Sequence, residues 1–210
     1  VSGGVAATFN APIAGVFFAQ EIVLLSSFEL SSFTSIVIAS GMSTVVSRAL
    51  LGNEPAFAVP PYVVSSPWEI VLYVLLGMLV GVLAAAFIDV HFKIKDRFEA
   101  LKLHRLAKPV VGGAIVGLIG IFFPQIFGNG YDFMEEILHG GGPWLLLAAL
   151  IFMKAVATSV TLGSGLPGGL FAPSLYLGAA TGGAFGKLAQ IVFPNAALSP
   201  GAYALVGMGA

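Results

Sequence analysis

Long apolar runs alternate with short polar or glycine- and proline-rich breaks along this chain, and the run lengths set the first expectations. Residues 70–90, 110–127, 143–162 and 171–193 carry almost no charge, and each comes close to the roughly 20 apolar residues that a membrane-crossing helix needs. Residues 36–51 read as a moderately apolar helix closed by Arg48 and Gly52. Residues 1–25 are rich in small side chains and interrupted at Asn10-Ala11-Pro12, which predicts one short helix ending near Phe9 and another beginning at Pro12, with Asn10 as its N-cap. Neither half is long enough to span alone, since residues 12–21 rise only about 15 Å. A last helix is expected to open at Ser199-Pro200.

The connectors orient these runs. Residues 26–35 are polar, and residues 53–66 hold the turn formers Asn53, Pro55, Pro60 and Pro61, which reads as a water-exposed loop lacking positive charge. Trp68 and Tyr73 mark a membrane interface. Six of the nine Lys and Arg fall within residues 91–108, so this segment reads as a cytoplasmic loop by the positive-inside rule; binding of anionic headgroups is the weaker alternative. Residues 129–142 are acidic, with room for a short helix, and Asp132, Glu135 and His139 on its face read as solvated rather than as a metal site. The pairs Gly77/Gly81 and Gly113/Gly117, and the row Gly178, Gly182 and Gly186, are spaced for close helix packing.

The richest stretch is Gly163-Ser164-Gly165-Leu166-Pro167-Gly168-Gly169-Leu170-Phe171-Ala172-Pro173, where six breakers separate two apolar runs. A chain broken at membrane depth must find partners for its N–H and C=O groups in protein, water or a bound ion. A helix restarting after Gly168-Gly169 aims the N–H groups of Gly169, Leu170, Phe171 and Ala172 forward, without an intrahelical acceptor and with the positive end of the dipole behind them. That is an anion site built of main chain, and Pro173 suits a first turn because it forfeits only an N–H with no acceptor there. The alternative is a kink that serves packing alone.

Composition narrows the class. At 58% hydrophobic and 9% charged residues with a mean hydropathy of +0.98, the chain reads as an all-α integral membrane protein. The absence of cysteine rules out disulfides and thiolate chemistry.

Gly169-Leu170-Phe171-Ala172-Pro173 resembles the G-x-F-x-P signature of the CLC family of chloride channels and chloride/proton exchangers, and Phe9-Asn10-Ala11-Pro12-Ile13-Ala14-Gly15 with Glu21 resembles a second motif block of that family. The resemblance implies a bundle of tilted and broken helices with inverted-repeat architecture, residues 1–52 ending the first repeat and 67–210 forming most of the second. It implies the central part of the membrane domain, with the early filter serine motif, the G-K/R-E-G-P motif and the late filter tyrosine expected outside. Ser164 runs directly into the second signature and inherits no filter role. The resemblance also implies a homodimer with one pore per subunit, residues 12–51 supplying part of the interface; the expected location is a bacterial cell membrane.

The function expected is chloride transport through a pore lined by backbone N–H groups of Gly169, Leu170, Phe171 and Ala172. Chloride and the lipid bilayer are the partners, with no cofactor, metal or nucleic acid. Glu21 is either a proton-pathway group or a structural carboxylate, and Lys154 either lends positive potential or pairs with a carboxylate such as Glu21. In exchangers of this family that use an internal proton-transfer glutamate, that residue follows the position of Glu21; here Ile22 stands there. The expectation is therefore a channel-like or weakly coupled transporter, with a stoichiometric chloride/proton antiporter as the alternative. An enzyme built on Ser164 is disfavoured, because the three histidines lie in polar connectors and a serine nucleophile needs an adjacent base. An organic-anion transporter is disfavoured by the lack of orienting polar side chains at residues 170–173.

Overall fold

A computed structural model of the chain describes residues 1–24, 30–53, 55–62, 67–194 and 198–210. The described residues are helical or irregular, with no strand among them. They form two compact units, Val1–Ala58 and Val59–Ala210.

In the first unit, α1 (Ser2–Phe9) and α2 (Pro12–Phe18) flank the break, a π-helical turn covers Ala19–Val23, and α3 runs Leu30–Leu51. Asn10 is not the N-cap of α2. It closes α1 in the left-handed conformation at φ 52°, and Ala11 is the residue before α2. Asparagine tolerates this conformation better than most side chains, and its amide is held elsewhere: Arg48 Nε donates to Asn10 Oδ1 at 2.6 Å, and Asn10 Nδ2 donates to Asn53 Oδ1 at 3.1 Å. A Cβ on Gly15 would stand 2.6 Å from Ser2 O, so α1 and α2 pack at glycine distance. On α3, hydroxyls at helical spacing donate to carbonyls of the short helices, Ser40 to Pro12 O at 2.5 Å, Ser43 to Gly3 O at 2.7 Å and Ser47 to Ala7 O at 3.2 Å. Such hydroxyls join helices where lipid supplies no hydrophobic drive.

The second unit contains α4 (Trp68–Ala100), α5 (Ala107–Phe122), a 3-10 turn at Pro124–Ile126, α6 (Tyr131–Leu138), α7 (Trp144–Gly163), α8 (Phe171–Val192) and α9 (Pro200–Gly209). The short helix expected in the acidic connector is α6, which buries Phe133, Met134, Ile137 and Leu138. Residues 91–108 are not one loop: α4 carries the basic sequence onward to Ala100, and only residues 101–106 separate it from α5. Lys and Glu are good helix formers, and the i,i+4 pairs Lys93–Asp89 and Lys95–Glu99 lie along this extension. With 33 residues, α4 is about 50 Å long and outruns a hydrocarbon core of about 30 Å.

Glycine sets the helix contacts, in part at positions other than those expected. The row on α8 meets α9 backbone to backbone: a Cβ on Gly178 would collide with Gly207 O, one on Gly182 with Tyr203 O, and one on Gly186 would stand 2.8 Å from Pro200 Cα. On α5, Gly113 and Gly117 have nothing within 4 Å of an added Cβ among the described residues; Gly112 and Gly120 make the close approaches, to Ser164 and to the Phe127 ring. Gly77 and Gly81 on α4 likewise have nothing within 4 Å of an added Cβ among the described residues.

Candidate functional site

The break between α7 and α8 is built in three steps. Ser164 caps α7, Gly165 turns at φ 89°, and the N–H groups of Gly165 and Leu166 bond back to Leu162 O and Thr161 O, both at 3.1 Å. This is the double bond pattern of a helix closed by a left-handed glycine, and it satisfies the last carbonyls of α7. Pro167, Gly168 and Gly169 then run without regular structure. Leu170 precedes α8, and Ser174 N–H bonds to Leu170 O at 2.9 Å as the ladder begins. The helix thus starts at Phe171, two residues later than Gly169, with Phe171, Ala172 and Pro173 as its first turn.

A cavity of about 470 Å³ opens against this turn. Its walls are Pro167, Gly168 and Gly169 of the break, Phe171, Ala172 and Pro173 of α8, Lys154, Thr158, Thr161 and Leu162 of α7, and residues 126–129. Of the four residues expected to present N–H groups, Gly169, Phe171 and Ala172 line it and Leu170 does not. Space around Gly169 is open, whereas a Cβ on Gly168 would stand 3.2 Å from Leu162 Cδ2.

Lys154 is the ionisable group of this wall and is 2% exposed. Its ammonium donates to Ile126 O at 2.8 Å and Gly128 O at 2.9 Å, and sits 4.9 Å from the centre of the Tyr176 ring. Its partners are therefore carbonyls and an aromatic face rather than a carboxylate. Tyr176 is fully buried and stacks on Phe133 at 6.0 Å, while Gly130, at φ 79°, leaves room where a Cβ would stand 2.6 Å from the Tyr176 ring. Lys154 thereby ties residues 126–128, which also line the cavity, to α7. The sequence offered a lone lysine in an apolar span but no sign of its acceptors, which lie 26 and 28 residues away.

Ser164 is 3% exposed and donates to Thr161 O at 2.9 Å, a helix-end role. Glu21 and Ile22 belong to the first unit, on its π-helical turn, and both are exposed.

Three described helices, in residues 32–51, 68–100 and 144–163, are long and apolar enough to cross a membrane, and the third of them, α7, ends at the break just described. The class is an all-α integral membrane protein with a cavity at a helix start. The sequence model described as Voltage gated chloride channel matches residues 1–210, and the chain belongs to that family, the CLC proteins. It is 44% identical to chloride channel protein CLC-f of Arabidopsis thaliana over all of this chain and 29% of that protein. It is 34% identical to the H(+)/Cl(-) exchange transporter ClcA of Vibrio campbellii over all of this chain and 46% of that protein. A slow cyanobacterial Cl-/H+ antiporter of known structure superposes with a TM-score of 0.84 at 25% identity, over 100% of this chain and 50% of the other. A CLC-type fluoride/proton antiporter shares the fold at a TM-score of 0.76 and 23% identity, over 99% and 50% of the two chains. The chain spans about half the length or less of these relatives.

Proposed function

We propose that the intact protein carries chloride across a membrane and that the anion passes through the cavity at the start of α8. The observation that carries this reading is the meeting of Gly169, Phe171 and Ala172 with a cavity at the end of a helix whose dipole points its positive end there. Partial charges on backbone N–H groups hold an anion loosely enough for release, as conduction requires. The buried ammonium of Lys154 adds positive potential while its bonds to Ile126 O and Gly128 O keep it in the wall.

Within this reading Ile22 favours a channel or a weakly coupled transporter, because its side chain carries no proton. Stoichiometric chloride/proton antiport is the second reading, favoured by the likeness to ClcA and to the cyanobacterial antiporter. The same reading assigns residues 1–52 and 67–210 to successive repeats, and takes the chain as a transporter and not an enzyme; the commitment of the Ser164 hydroxyl to Thr161 O supports the latter. A homodimer in the bilayer is part of it, supported by Ile38, Met42, Val45 and Leu50 exposed along α3. The Vibrio relative supports a bacterial cell membrane, with a plant membrane as the competing assignment from CLC-f. The test is a liposome flux assay of the intact protein recording chloride and proton movement together. Chloride efflux above empty vesicles supports transport, and proton movement in fixed ratio to it selects the antiporter.

A further inference from the structure

We propose that the exposed basic residues at the end of α4 and in the turn after it form an electrostatic collar that concentrates small anions at the break between α7 and α8. This rests on the chloride-transport reading above. A basic segment that only fixed orientation would need to lie on the correct side of the membrane and touch nothing in particular. Here it is packed against the break. Gly163, the last residue of α7, faces the α4 backbone so closely that a Cβ would stand 3.2 Å from Lys95 Cα and 3.3 Å from Lys95 N. The next residue, Ser164, is met from α5 by Gly112. Lys108 Nζ donates to Glu99 O at 3.2 Å and ties the start of α5 to the end of α4. Leu162, adjacent to Gly163, lines the cavity. The basic stretch therefore borders the break through Lys95 of α4, and Lys108 ties it to α5, whose Gly112 meets the same break.

Charge and exposure decide what this border does. Residues 89–108 hold six basic and three acidic side chains, and Lys93, Lys95, Arg97, Lys102 and Arg105 are exposed. The pairs Lys93–Asp89 at 2.6 Å and Lys95–Glu99 at 3.8 Å are exposed too, with lysine side-chain accessibilities of 69% and 48%, so neither forms a locked, desolvated ion pair. A net positive surface beside a cavity set in low-dielectric walls raises the local concentration of anions without holding any one of them. Lys154 adds to the potential inside the cavity but is not part of this exposed surface, since its ammonium is buried and bonded to two carbonyls.

The experiment compares the intact protein with its Lys95→Gln/Arg97→Gln/Lys102→Gln variant in neutral phosphatidylcholine vesicles. Chloride is kept low and fixed, and ionic strength is set with gluconate. At about 10 mM ionic strength, where charges act over about 30 Å, the wild type should move chloride about threefold or more faster; at about 1 M, where they act over about 3 Å, the two rates should converge. Convergence at high salt also shows that the variant is folded. A ratio that does not change with ionic strength overturns the collar. So does a deficit seen only when anionic lipid is added, which would assign the segment to headgroup binding. Chloride flux with a salt-independent ratio removes this inference alone, whereas no flux from the wild type at any salt removes the transport reading and the collar with it.

Discussion

Gly112 of α5 lies so close to Ser164 at the end of α7 that a Cβ on Gly112 would overlap the serine side chain. The contact sits at the residue where α7 gives way to the break, and Ser164 is itself tied to Thr161 O at 2.9 Å. Gly112→Ala should therefore lower stability by about 1–3 kcal/mol through overpacking. Ser164→Ala should cost about 0.5–1.5 kcal/mol for one neutral hydrogen bond and leave chloride binding in place. Adding Ser164→Gly to Gly112→Ala should recover much of the overpacking loss, since the two atoms compete for one space. Thermal unfolding in detergent measures the cycle; strictly additive losses would mean that the two residues do not share that space.

At the site, Gly169 separates main-chain donation from simple crowding. Among the described residues nothing lies within 4 Å of a Cβ built on it, and its φ is not positive. Gly169→Ala should bind chloride much as the wild type does. Gly169→Pro, which loses an N–H, should weaken binding by at least the roughly 1.5–3 kcal/mol of a hydrogen bond to a charged group. Chloride titration by calorimetry decides it, and equal loss in both variants would contradict the main-chain reading.

Lys154 offers a test of the part of the wall formed by residues 126–128. Lys154→Met keeps the length of the side chain but leaves Ile126 O and Gly128 O without their donor. Stability should fall by about 3 kcal/mol, and residues 126–130 should exchange their amide hydrogens faster. Lys154→Arg should restore part of the stability, because guanidinium also donates to carbonyls. Unchanged exchange in residues 126–130 of Lys154→Met would show that the lysine does not hold that wall.

The glycines of α8 should be far less tolerant than those of α4. A Cβ on Gly182 would come within 2.6 Å of Tyr203 C and 2.8 Å of Ala204 Cα, atoms of backbone that cannot turn aside. Gly182→Ala should destabilise by about 2 kcal/mol or more, whereas Gly81→Ala should stay within about 0.5 kcal/mol. A marked loss in Gly81→Ala would reveal a helix covering that face in the intact protein.

These contrasts show which parts of the molecule were legible in sequence. Breaks at Asn10–Pro12 and 163–173 are written in residue types that admit few conformations, so the helices ending at Phe9 and starting at Pro12 came out as expected. Helix phase was less readable. Gly112 and Gly113 are chemically alike, and only the rotation of α5 against α7 chooses between them. Asn10 could cap either neighbour by composition, and Arg48, 38 residues on, takes the oxygen that an N-cap would have used. The basic end of α4 is not legible as helix from its charge, because the positive-inside rule gives the side of the membrane and is silent about secondary structure. Lys154 is visible in sequence as a lone charge in an apolar span, but its acceptors come from a chain segment that tertiary folding alone brings near.

The channel-like reading makes Ile22, in the first unit, the position at which proton coupling is tested. Ile22 is 58% exposed on the π-helical turn beside Glu21, which is also exposed. A coupled route needs an ionisable relay or an ordered water chain, and isoleucine supplies no proton. Glu21 is a poor substitute, because adjacent residues on a helical turn point in different directions and so meet different surroundings. Under a pH gradient with symmetric chloride, the reversal potential of the intact protein should accordingly stay near zero. Ile22→Glu should then move it toward the proton equilibrium potential if the rest of a relay is present on the cytoplasmic side. A clear displacement in the wild type would establish coupled exchange and show that protons take a path that bypasses Ile22.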